Sequence, residues 1–224
     1  MSKVVHALCL VVALGVGASS AFAQEYTTAQ VLAKLDEKAK VFSSLEAPVA
    51  HTQVVFGAKH PTKQGKIFIK MAKGVPRFFW DVTDPKERMR ILIDKGEVKV
   101  YSPTSNSYTS KKVDPNSEML QLLLIGFGVP SATLTKNYNA AVKASETVNG
   151  VQAVVLELTS ISPLTARFPK ITLWLDPKTW TPMRTRVTEK SKDTTDFDYS
   201  NIRLNKDVKD SVFNLKIPGN ATKQ

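Results

Sequence analysis

The sequence predicts a mainly β chain with helices, of the α+β class: one long, curved antiparallel sheet with two helices on its concave face. Three observations predict it. Residues 28–42 form one amphipathic stretch of helical period; the apolar period then drops to two and stays there. The turns between the apolar runs are too short for the crossover helices that parallel strands require. A second, almost wholly apolar stretch interrupts the strands midway. Sheets of many strands tend to curl, and a curled sheet needs a lid or an apolar filling.

In the first helix Val31, Leu32, Leu35, Ala39 and Phe42 recur at spacings of three and four, with Lys34, Asp36, Glu37, Lys38 and Lys40 on the other side. Thr28 is the expected N-cap. Strands are expected at 51–58, 66–71, 77–82, 90–94, 98–102 and 108–113, separated by turns that carry Pro61, Gly65, Gly74, Pro76, Pro85, Gly96, Pro103 and Asn106. Residues 114–117, Asp-Pro-Asn-Ser, then cap a helix over 118–127 with seven apolar residues in ten. A helix without a polar face is either buried or covers something apolar. Gly126, Gly128 and Pro130 end it and leave a flexible junction. Strands resume at 140–147, 151–160, 170–176, 182–189, 194–201 and 213–217.

The N-terminus reads as a secretory signal over residues 1–23. Lys3 and His6 precede the apolar run 7–17, and Ala21-Phe22-Ala23 forms the cleavage site before Gln24. The run is shorter than the ~20 apolar residues of a spanning helix. Cleavage removes Cys9, the single cysteine, so disulfides and thiolate chemistry are excluded from the mature chain. The remaining residues 24–224 read as one domain with a sizeable core. The net charge of +11 is spread over many turns without an arginine tract, which argues against nucleic acid and for an acidic face on a partner.

Catalytic constellations are poor. His51 and His60 are the only histidines after residue 23 and lie in no metal-ligand spacing. His51 is expected at a strand edge and His60 in a loop. No nucleophile elbow or phosphate-binding loop occurs. Asp193, Asp196 and Asp198 cluster, and the simplest reading is the solvated face of an outer strand. What remains is apolar: Phe78 and Trp80 share one strand face, as do Ile67 and Ile69, Ile91 and Ile93, and Val98 and Val100. An ordinary core and a binding surface both fit that pattern, and several strands are partly apolar on both faces.

The runs Gly65-Lys66-Ile67-Phe68-Ile69-Lys70, Pro76-Arg77-Phe78-Phe79-Trp80-Asp81, Ile93-Asp94-Lys95-Gly96-Glu97-Val98 and Val100-Tyr101-Ser102-Pro103 carry a family resemblance. So do Leu173-Trp174-Leu175-Asp176-Pro177-Lys178-Thr179, with Pro182 and Arg184, and Phe213-Asn214-Leu215-Lys216-Ile217-Pro218-Gly219. In order and spacing the chain resembles the LolA-type carriers of outer-membrane lipoproteins over nearly all of 24–224. The resemblance implies an open, incomplete β-barrel closed by a helical lid, located in the periplasm, with no cofactor and no catalysis. It implies an apolar cavity for acyl chains, formed by Ile67, Ile69, Phe78, Trp80, Ile91, Ile93, Val98 and Val100, with Leu122, Ile125 and Phe127 on the lid. The family's latch arginine precedes the proline; here Lys73 and Arg77 flank Pro76 instead, and are the expected lid latch. The implied partners are lipoprotein or lipid cargo, an inner-membrane donor complex and an outer-membrane acceptor, served by a monomer.

Overall fold

The computed structural model describes residues 26–114, 117–162 and 166–224. The expected signal segment, and Pro115 and Asn116 of the expected helix cap, lie outside the described residues. Helix α1 spans Thr28–Val41 and buries Val31 and Leu35. Its cap is Thr27, one residue before the expected one: the Thr27 Oγ1 accepts from the Gln30 N–H (3.2 Å), and Gln30 Oε1 accepts from the Thr27 N–H (2.8 Å). This reciprocal box satisfies two backbone donors at once. Thr28 serves elsewhere, its hydroxyl accepting from the Val142 N–H.

The strands are β1 (Ser44–Val55), β2 (Ala58–Lys59), β3 (Lys63–Ala72), β4 (Val75–Val82), β5 (Met89–Asp94), β6 (Glu97–Ser102), β7 (Ser107–Lys112), β8 (Tyr138–Val148), β9 (Val151–Ser160), β10 (Lys170–Leu175), β11 (Pro182–Thr188), β12 (Thr194–Tyr199), β13 (Arg203–Leu204) and β14 (Thr222–Lys223). Between β7 and β8 lie α2 (Glu118–Leu124) and α3 (Ser131–Leu134). All strands belong to one sheet ordered β14-β7-β6-β5-β4-β3-β1-β12-β11-β10-β9-β8, with β2 and β13 also on β1. The sheet does not close. Two antiparallel meanders are joined through β1, which pairs with β3 on one side and β12 on the other. Among the described residues the one departure from an antiparallel sheet is β14, which runs parallel to β7.

Strand β1 begins seven residues before the expected strand. Leu45, Ala47 and Val49 alternate inward and are buried, but Pro48 sits among them. A proline inside a central strand loses a ladder bond. Here β12 pairing stops at Val49 and β13 pairing starts at Glu46, so Pro48 faces the gap between the two partners. His51, expected at a strand edge, is in the sheet interior, paired with Lys63 on one side and Phe197 on the other. Strand β12 is likewise central, between β1 and β11, and not an outer strand. Asp196 and Asp198 are paired with Arg186 (2.6 Å) and Arg184 (2.5 Å) across β11.

The two apolar faces have separate explanations. The concave face forms the main core with Val31 and Leu35 of α1 and Leu120 and Leu124 of α2. The convex face of β3–β5, with Phe68, Phe79 and Leu92, is covered by a C-terminal strap through Val208, Val212, Phe213 and Leu215. The expected strand over 213–217 is therefore absent. Phe213 ends a 3-10 turn, Asp210–Phe213, and the alternation beyond it reflects a segment lying over the sheet face rather than laddered to an edge.

Arg77 holds that strap. Odd-numbered in β4, it points opposite to Phe78; its Nε and Nη2 bond Asp94 (3.0 and 3.1 Å), its Nη1 bonds Asp210 (2.8 Å), and its guanidinium lies 4.5 Å from the Phe213 ring centroid. Lys73 is exposed at φ +51° in the β3–β4 turn. The expected lid latch is corrected accordingly: Arg77 fastens the C-terminal strap on the opposite face. Arg77→Met is expected to lower stability by about 2 kcal/mol, the scale of lost bonds to charged groups, and to make residues 206–217 sensitive to protease. Lys73→Ala is expected to change neither, as urea melts and limited proteolysis will register.

Candidate functional site

The register places the apolar candidates in two rows. Ile67, Trp80, Ile91 and Val100 align across β3–β6, and Ile69, Phe78, Ile93 and Val98 form the neighbouring row. An apolar cavity of about 50 Å³ lies over part of this floor. Its walls are Ile67, Phe78 and Trp80 from β3 and β4, facing Thr185, Val187, Phe197 and Tyr199 from β11 and β12; Leu122 and Leu123 of α2 roof it. Four of the expected residues thus meet at one void. Ile69 and Ile93 are buried in the core; Ile91 and Val98 are partly exposed and pack against it. Val100 is half-buried farther along its row.

Ile125 and Phe127 lie beneath the lid rather than over the cavity. Both are buried, and the Phe127 ring meets Tyr199 edge-on at 5.5 Å. The junction behind the lid is not a flexible one. Gly126 adopts φ +81°, and a Cβ there would come within 2.4 Å of Pro182. A Cβ on Gly128 would come within 2.5 Å of Phe42. These glycines permit close packing, which holds the lid's base in place. The N-cap of α2 itself is Ser117, which makes no side-chain capping bond.

The sequence reading missed the β11–β12 wall. Its signal was the alternation Asp196-Phe197-Asp198-Tyr199, matched on β11 by Arg184 and Arg186 two residues apart. The pairing of those charges on one face sends Phe197 and Tyr199 to the other.

Three rings stand at one end of the cavity. His51 contacts Trp80 and Phe197, each at 5.2 Å, and Trp80 lies 5.8 Å from Phe197. Gly65 makes room for the indole: a Cβ there would fall 2.6 Å from the Asp81 carbonyl and 2.8 Å from Trp80 Nε1. Trp80 Nε1 is buried without a hydrogen-bond partner among the described residues. Burial, with a smaller contribution from Lys63, holds the His51 imidazole below its ordinary value of 6.5. In mild acid the unfolded chain protonates this histidine before the folded chain does, so stability falls as pH drops through the unfolded value toward the lower folded one. His51→Phe is expected to flatten that part of the stability–pH curve, measured by denaturant melts between about pH 5 and 7.

Tyr199 lines both this cavity and an open cleft of about 550 Å³, which also touches Lys38, Lys178 and Ser200. Burial pushes its phenol up to about 12, so it stays neutral. Among the described residues no group of three or more His, Cys, Asp or Glu is placed to hold a metal, and no helix is long and apolar enough to cross a membrane. The lining of the cavity is mostly apolar.

The family described as outer membrane lipoprotein carrier protein LolA matches residues 47–216. No curated protein matches the chain at a significant level. An uncharacterized conserved protein from Thermus thermophilus has a similar fold (TM-score 0.54, 10% identity, covering 88% of this chain and 97% of that one). MucB is also similar (TM-score 0.53, 14% identity, 84% of this chain), and this chain spans 62% of its length. The Pseudomonas aeruginosa MucA/MucB complex gives a TM-score of 0.50 at 14% identity, covering 84% of this chain and 61% of that one. At these identities the structural likenesses speak to the fold alone.

Proposed function

The chain belongs to the LolA family of outer membrane lipoprotein carriers, and from that premise we propose that it shields the acyl chains of lipoproteins in its apolar cavity during transport through the periplasm to the outer membrane. On this reading residues 1–23 are the signal peptide and 24–224 a single, non-catalytic carrier domain that works as a monomer without a cofactor. It receives cargo from an inner-membrane donor complex and delivers it to an outer-membrane acceptor; nucleic acid has no part in it.

The observation that carries the proposal is the apolar cavity between the two meanders, roofed by Leu122 and Leu123. At about 50 Å³ it is far smaller than the ~150 Å³ that accommodates benzene. Cargo binding therefore requires α2 to leave, which exposes the floor that runs on through Ile91, Ile93, Val98 and Val100. A chain of ~16 carbons gains roughly 12 kcal/mol on leaving water, at about 0.8 kcal/mol per CH₂. Reclosure of the lid over the void offsets part of that gain, so cargo can be released. The buried Trp80 Nε1 offers a donor to an ester or amide carbonyl at the head of the acyl chain. The basic turns suit an acidic face on the donor or acceptor.

The likeness to MucB, solved in complex with MucA, favours a second reading in which the same curved sheet binds a protein segment. A carrier of another lipid or glycolipid is the third. Native mass spectrometry of the protein isolated from the periplasm distinguishes them. An acylated-protein adduct supports the proposal, a small lipid adduct supports the third reading, and a non-acylated protein partner supports the second.

A further inference from the structure

Among the described residues four hairpins turn through two residues that both have positive φ, the second always glycine: Phe56-Gly57, Lys73-Gly74, Lys95-Gly96 and Asn149-Gly150. Such turns favour asparagine, aspartate or glycine at the first position, because a bulky side chain is strained there. Three of the four carry lysine or asparagine. The fourth carries Phe56, which is 91% exposed, the highest exposure of any large hydrophobic residue described. This phenylalanine is unfavourable both for its backbone and for its solvent contact, and it belongs to no core cluster of the described residues.

Its surroundings are fixed, with exposed lysines beside the acids Glu189 and Asp193 of the β11–β12 turn. The Phe56 N–H donates to Asp193 Oδ1 (2.8 Å), which ties the β1–β2 tip to the β11–β12 turn. Lys59 on the first hairpin and Lys190 and Lys192 on the second are exposed, and none of the three is in a salt bridge among the described residues. A protein interface needs a contiguous apolar patch around its anchor, and residues 57–60 offer glycine, alanine, lysine and histidine. A bilayer interface needs only a ring to bury at headgroup depth and cations for anionic lipid. We propose that Phe56 and these lysines form a docking tip for an anionic membrane surface, with the ring inserted among the headgroups. This inference rests on the turn and its charges and stands independently of the cargo reading.

The test is flotation of residues 24–224, which contain every described element, with two kinds of vesicle: pure phosphatidylcholine, and phosphatidylcholine with equimolar phosphatidylglycerol. Wild type is expected to float with the anionic vesicles only, less so as salt rises. Phe56→Asn suits the turn better, so its melting temperature should hold or rise while vesicle affinity falls roughly tenfold or more, the loss expected from one buried ring. Replacing Lys59, Lys190 and Lys192 by glutamine should weaken binding and its salt dependence together. Phe78→Leu, a cavity change, should leave flotation as it is, which separates this result from the fate of the carrier proposal. Absence of wild-type binding to anionic vesicles, or equal binding by Phe56→Asn, overturns the inference. Phe56-dependent self-association in sedimentation, without vesicle binding, overturns it in favour of a second copy of the chain.

Discussion

Phe78→Glu is expected to abolish binding of a fluorescent fatty acid and to destabilise the fold severely. Phe78 is 4% exposed, paired with Ile69 and Ile93 on its neighbouring strands, and forms part of the cavity wall. Deletion of a buried phenylalanine ring alone costs about 3–5 kcal/mol. A carboxylate at this position has no partner in the apolar wall, and the void beside it, about 50 Å³, leaves little room for hydrating water. Burial will raise the pKa of the introduced carboxyl above its unfolded value. The destabilisation should therefore grow as pH rises past the unfolded value, because the charged form is the disfavoured one. Urea melts at about pH 5 and pH 8 measure this directly. Phe78→Leu should retain the fold at both pH values. A folded Phe78→Glu protein that binds the fatty acid as wild type does would place the binding surface elsewhere.

The second large effect separates the lid from its base. Phe127 is 3% exposed and packs on Tyr199 beneath the lid, so Phe127→Ala should cost about 3–5 kcal/mol, as in an ordinary core. Leu122 is only partly buried and borders a void. Fewer contacts are lost on its truncation, and the cost should sit at or below about 2 kcal/mol, the lower end for leucine. The two should also differ in their response to ligand. A soluble acyl ligand binds the open state, in which the contacts of α2 are already released, so it should stabilise Leu122→Ala at least as much as wild type. Denaturant melts of the three proteins with and without ligand decide the matter. A core-like cost at Leu122, with no ligand stabilisation in any of the proteins, would favour the protein-binding reading.

The fold was largely legible because its signals are local. The helical period of α1, the period-two strands and the X-Gly turns are properties of neighbouring residues, and apart from the early start of β1 and the missing strand over 213–217 the expected elements appear within a few positions of where the sequence places them. The misses share a different character. Pro48 reads as a break until β12 and β13 are seen to leave a gap beside it. Asp196 and Asp198 read as a solvated outer face until Arg184 and Arg186 are brought beside them. Gly126 and Gly128 read as a flexible junction until Pro182 and Phe42 are found against them.

The site divides the same way. The sequence by itself determined which strand faces are apolar, since side-chain direction in a strand follows from parity alone; that the β3–β6 face lines a cavity under the apolar helix came from the family resemblance. Only the tertiary structure decided that β11 and β12 supply the opposite wall. It also decided that Arg77 secures the C-terminal strap on the convex face instead of the lid, because both depend on which distant segments the curvature of the sheet brings into contact. Parity says where a side chain points; chain closure over more than a hundred residues decides what it meets there.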